Sequence, residues 1–144
     1  MDKPIPNKWV RKAILTATSN MVVNGINIPV YDLRVPTNGN VNHYVLITTQ
    51  TNSVNKYTKC GYAYESTVLL DIVTSYYGTG NELKRTLADD ILDKLRELTN
   101  NLTLDVASGL NIHRQTQDFP AGIETITPTE NIFRRFLRIE MFIN

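Results

Sequence analysis

Hydrophobic and polar positions alternate with a period of two along residues 65–77, with Ser66, Val68, Leu70, Ile72 and Thr74 on one side and Glu65, Thr67, Leu69, Asp71 and Val73 on the other. β-Branched and aromatic residues together dominate, as a pleated surface favours, and the stretch predicts a strand. After Gly78-Thr79-Gly80 the period lengthens to about 3.6, because Leu83, Leu87, Ile91, Leu95 and Leu98 recur at steps of three or four. With Ala88 and Leu92 beside them they form the apolar stripe of an amphipathic helix over residues 82–98. Thr79 followed by Glu82 is a capping-box pattern that would fix its start. The other face carries Lys84, Arg85, Asp89, Asp90, Asp93, Lys94, Arg96 and Glu97, with Asp90 and Lys94 spaced as a one-turn ion pair.

Upstream, Trp9, Val10, Ala13, Ile14 and Ala17 predict an N-terminal helix with Asn7 as its N-cap. Lys8, Arg11 and Lys12 near its start oppose the helix dipole, so packing of the Trp9 face must hold it. Asn24-Gly25 is a two-residue hairpin signal that would fold Val22 and Val23 back onto Ile26 and Ile28. Pro29 cannot donate to a ladder and places the segment Ile28-Pro29-Val30-Tyr31 at an edge or a strand entrance. Residues 36–40 read as a loop, 44–49 as a compact strand, and the polar residues 50–59 as a long hairpin loop. Tyr57, Tyr62 and Tyr64 beside that loop are aromatics of the kind interfaces favour.

Asn100-Asn101 ends the second helix, and residues 102–131 read as an irregular insertion containing candidate strands at 111–116 and 123–127 between turns. The chain closes on a strand over 132–143, in which Phe133, Leu137, Ile139, Met141 and Ile143 alternate with Arg134, Phe136, Arg138, Glu140 and Phe142; Arg135 interrupts the apolar series. The expected fold is α+β: a mostly antiparallel sheet packed by one long amphipathic helix plus the N-terminal helix. No linker or repeat divides residues 1–144, which read as a single domain.

Composition narrows the classes of function. A formal net charge of +1 gives no global attraction to nucleic acid or anionic lipid. The single Cys60 excludes an internal disulfide framework and a Cys-only zinc site. No apolar run approaches the roughly 20 residues that span a bilayer, and the opening Met1-Asp2-Lys3-Pro4 begins no signal peptide, so synthesis in the cytoplasm without a membrane partner is expected.

Candidate chemistry is sparse. Gly78-Thr79-Gly80 lies between a strand and a helix, as phosphate loops do, but it lacks a third glycine and a Gly-Lys-Ser/Thr ending, and Glu82 opposes an anion. His43 and His113 lack close ligand spacing, and a Cys60–His43 nucleophilic pair is outweighed by an inert strand-end cysteine. Asp71, inside an apolar strand, requires a partner. Asp32 as the other half of an acid/base pair is one reading; an arginine of the C-terminal strand or of a neighbouring subunit is preferred. Arg134, Arg135 and Arg138 would pair with Asp89, Asp90 and Asp93 of another copy, or alternatively contact a phosphate backbone. No catalytic residue, metal site or cofactor is expected.

The long strands are apolar on both faces, and two helices cannot cover both. An uncovered face marks an interaction surface, and identical copies that bury it head to tail form a closed ring. Tyr57, Tyr62, Tyr64, Asp71, Asp89, Asp90, Asp93, Arg134 and Arg138 are the candidate subunit-interface residues.

The order of parts, with an N-terminal helix, Ile28-Pro29-Val30-Tyr31-Asp32, Tyr44-Val45-Leu46-Ile47, Val68-Leu69-Leu70-Asp71-Ile72-Val73-Thr74, a glycine turn, an amphipathic helix and an Arg-rich last strand, resembles the tail-completion or tail-terminator proteins of tailed bacteriophages. The resemblance implies a virion neck protein that forms a homo-oligomeric ring, a hexamer or dodecamer, at the head–tail junction. Its implied partners are the portal or connector and the tail-tube proteins, with viral DNA passing through the lumen without sequence-specific binding. The family has no catalytic residues to carry over. The alternative reading is a small nucleotide- or nucleic-acid-binding α+β domain.

Overall fold

In a computed structural model the protein is an α+β fold with two helices and a mostly antiparallel mixed sheet; residues 4–32, 42–55, 63–77 and 82–144 are described. The glycine turn with its Thr79–Glu82 capping box, the 36–40 loop, Tyr57, Cys60 and Tyr62 lie outside the described residues.

Helix α1 spans Asn7–Ala17 and buries Val10, Ala13 and Ile14. Pro6, and not Asn7, occupies the N-cap, and no side chain caps the helix there. Proline's fixed φ suits the helix entrance, and its carbonyl accepts the Val10 N–H at 2.9 Å. Trp9 lies half-buried on α1, with the ammonium groups of Lys8 and Lys12 at 5.0 and 5.6 Å from its ring centre. The hairpin β1 (Val22–Val23) and β2 (Ile26–Asn27) turns at Asn24 (φ 53°) and Gly25 (φ 77°), two positive φ values that suit the twist of a hairpin. Val22 pairs with Asn27 rather than Ile28, because the two-residue turn fixes the register and leaves the Ile28 N–H to the Met21 carbonyl.

The six-stranded sheet has the order β3-β4-β5-β8-β6, with β7 also on β8. The edge strand β3 (Val30–Asp32) follows Pro29 and runs parallel to β4 (His43–Asn55). All other pairs are antiparallel: β4 with β5 (Ala63–Tyr77), β5 with β8 (Glu130–Ile143), and β8 with both β6 (Ile112–Asp118) and β7 (Ile123–Ile126).

The hairpin-loop reading of residues 50–59 is corrected in its first part, because β4 continues as a strand to Asn55. A bulge at Thr48 and Thr49, opposite Leu69, lets the strand pass. Beyond it, polar side chains pair across the strands: Thr51 with Thr67 and Asn52 with Ser66. The bulge also returns Gln50 to the helix side, where it donates to the Asn7 carbonyl (3.1 Å) and accepts from Arg11 (2.8 Å).

Helix α2 (Glu82–Leu98) buries Leu87, Ala88, Ile91 and Leu95 against β5 and β8. Both helices share one core with Val45, Ile47, Val68, Leu70, Ile72, Leu137, Ile139, Met141 and Ile143. Nor is the 102–131 stretch an irregular insertion. Leu102, Leu104 and Leu110 enter the core around a 3₁₀ turn (Val106–Ser108), and two strands follow. The polar Gln115 and Gln117 conceal the β6 alternation because they point inward and donate to the Thr99 and Arg96 carbonyls at the end of α2. Among the described residues no helix is long and apolar enough to cross a membrane.

Candidate subunit interface

With α1 and α2 on the same side, the opposite face of β4, β5 and β8 carries no helix among the described residues. Strand alternation places Tyr44 and Leu46 of β4, Leu69, Asp71 and Val73 of β5, and Arg134, Phe136, Arg138 and Phe142 of β8 on this open face. Leu46, Leu69, Phe136 and Phe142 are half-buried, whereas Asp71 and Val73 are buried.

Asp71 is the polar centre of this surface. In register it sits between Leu46 and Phe136, and Arg134, diagonal to it, supplies the charge. The guanidinium donates through Nη2 to Oδ2 at 2.6 Å and through Nε to Oδ1 at 3.3 Å, a two-pronged pair that holds the Arg134 pKa above its ordinary value. The aspartate side chain is 5% exposed and the arginine 39%, so one partner is fixed and the other reaches the surface. Arg134 also lies over the Phe136 ring at 5.3 Å. The Tyr44 phenol is pushed up by burial and then by the Asp71 charge. Tyr31, aligned with Leu46, stands 6.5 Å from the Tyr44 ring and extends the patch toward β3.

Most of the residues expected at an interface have partners within the chain. Asp71 and Arg134 hold each other. Arg138 pairs with Asp118 of β6 at 3.2 Å, and Asp89 pairs with Arg135 at 2.8 Å. Asp90 accepts from the Asn24 amide at 2.8 Å. Asp93 is exposed and lines a groove between α2 and the β1–β2 hairpin. Tyr64 is buried in the core at 8% exposure, because its strand alternation turns it to the helix side. The three α2 aspartates thus lie on the opposite side of the sheet from Arg134 and Arg138. Asp32, held by Arg11 of α1 at 3.2 Å, is likewise separated from Asp71 by the sheet. His43 and His113 sit at opposite ends of it, on β4 opposite Thr74 and on β6 beside the Ile112–Ile143 pair.

No protein-family model matches the chain, and no curated protein sequence matches it. A solved chain from the virion of a native gene transfer agent particle has the same fold, with a TM-score of 0.61 at 11% identity over 94% of this chain and 96% of that one. The likeness is one of fold, and it extends almost from end to end of both chains.

Arg135 was the signal for a feature the periodicity did not place. It sits in the helix-side series of β8, only 15% exposed, and its guanidinium reaches Asp89 of α2 and Glu124 of β7 (3.0 Å). Arg85 of α2 closes the network on Glu124 at 2.7 Å, and the Arg135 contact holds the Glu124 carboxyl below its ordinary pKa. This network ties α2 and β7 to β8.

Proposed function

We propose that the protein is a structural component of a phage-like virion that assembles as a ring at the head–tail junction, where it caps the tail tube or joins it to the portal. The supporting observation is the near end-to-end fold match to a chain of a gene transfer agent virion. A sheet with both helices on one side and half-buried apolar residues on the other suits a subunit that lives among copies of itself and other virion proteins. In this reading the role is non-catalytic. The tail tube and connector are its neighbours, and DNA passes through the lumen without being read.

The test is the mass of the purified chain by light scattering across rising concentration, with negative-stain images of the same sample. A ring of six or twelve copies is expected from the family resemblance. A chain that stays monomeric at the highest concentration overturns the ring.

A further inference from the structure

At one end the sheet is four strands wide, with residues 50–55 of β4, 63–68 of β5, 138–143 of β8 and 112–118 of β6 side by side. The parallel strand β3 pairs only with Val45, Leu46 and Ile47, before the bulge. Among the described residues, therefore, no strand pairs with residues 50–55 on the side away from β5, and none pairs with β6 on the side away from β8.

Open edges template strand addition, and proteins usually guard them with charge, proline or distortion. The β4 edge, Gln50, Thr51, Asn52, Ser53, Val54 and Asn55, has neither charge nor proline. In β6 the register shift is confined to the start, between Ile112 and Arg114, and the Asp118 charge is taken by Arg138. Among the described residues, two edges of similar length thus face away from each other, the β4 edge without charge and the β6 edge with one exposed charge, Arg114, near its start.

Their directions decide how copies can meet. Because β4, β5, β8 and β6 are successively antiparallel, β4 and β6 run in opposite senses. A second copy set alongside in the same orientation brings its β4 beside the first copy's β6 as an antiparallel neighbour, with both open faces on the same side. We infer that adjoining copies join edge to edge, β6 of one pairing with the 50–55 segment of β4 in the next, so that one sheet runs on through successive subunits. The partner is a second copy of this chain, and the contact is heterologous. It closes into a ring when the rotation per copy divides a full turn. Main-chain pairing supplies the contact, as in other strand additions. The inference rests on the ring reading and names its subunit joint.

Cysteine pairs test it in a Cys60→Ser background. On the open face, Ser53, Glu65, Phe142 and Arg114 form one cross-strand row, and Thr51, Thr67, Glu140 and Thr116 form the next. Thr51→Cys or Ser53→Cys is combined with Arg114→Cys or Thr116→Cys, all four positions being exposed. The chains are oxidised at the concentration where light scattering reports assembly. At least one combination is expected to give a reducible ladder of covalent oligomers up to ring size, while the single variants stay uncrosslinked. Assembly at the wild-type level with no ladder in any combination overturns this joint and leaves the ring standing. Covalent dimers from a β4 single variant reveal twofold pairing of β4 with β4 and overturn the head-to-tail joint. A chain that is monomeric and gives no ladder overturns both. Circular dichroism melts matching the parent qualify each variant.

Discussion

Asp71 is a carboxylate set between Leu46 and Phe136 on adjoining strands, and its charge is tolerated because the Arg134 fork meets both of its oxygens. Replacing the arginine by an apolar side chain leaves the carboxylate buried without its counter-ion, a loss of about 3 kcal/mol. Arg134→Met is therefore expected to unfold at markedly lower urea, and Asp71→Leu combined with Arg134→Met to recover most of the loss. Arg134→Lys keeps the charge without the fork and falls between. A second residue-scale effect concerns His43, whose pKa is lowered first by burial and then by Lys84. The unfolded imidazole, with an ordinary value of 6.5, binds its proton more readily than the folded one. Stability therefore declines as pH falls through the region near 6.5 and levels off below the depressed folded value. Thermal midpoints measured across this range should drop, and His43→Gln should flatten that part of the curve. Glu124 acts in a separate window: its pKa is lowered by Arg135, so its contribution is present above the ordinary value of 4.5 and is lost only as pH falls through the depressed one.

Among the elements, β7 is attached by β8 on one side and by the Arg85–Glu124–Arg135–Asp89 network above it. Gly122 leads into it, and a Cβ there would stand 2.7 Å from the Arg134 carbonyl oxygen and 2.9 Å from an Arg135 nitrogen. Gly122→Ala should push β7 away from β8 at a cost of about 1–3 kcal/mol. Hydrogen exchange should then show lost protection in Ile123–Ile126 with the β5 amides unchanged. Elements whose side chains follow one period were legible from sequence: α2 over Glu82–Leu98, the β1–β2 turn at Asn24-Gly25, and the apolar rows of β5 and β8. Where polar side chains satisfy each other across strands, the period disappears. Gln50, Asn52 and Thr51 made the second half of β4 look like a loop, and Gln115 and Gln117 blurred the alternation of β6, so that the candidate strand at 111–116 stopped short of Gln117 and Asp118, because their partners are distant in sequence. The arginine partner of Asp71 was legible in kind, since a buried carboxylate requires one, but the α2 aspartates were assigned to another copy when Asp89 and Asp90 pair within the chain.

At the scale of the molecule, one face of the sheet carries both helices and the other carries none among the described residues. Tyr44, Leu46, Leu69 and Phe136 lie on strands paired on both sides of β5, and charge placed on this patch makes it less adhesive. Leu69→Lys with Phe136→Lys is expected to retain the wild-type circular dichroism spectrum and to give less enhancement of a hydrophobic dye's emission than the parent chain. Dye binding undiminished by the pair would locate the accessible apolar surface elsewhere. Trp9 gives the molecule a separate internal reporter. It is the chain's one tryptophan and lies on α1 beneath two lysines, remote from the open face. Its fluorescence therefore follows the docking of α1: a contact confined to the open face would leave it constant, whereas a shift would signify a change at the first helix, which Gln50 of the 50–55 edge touches through Asn7 and Arg11.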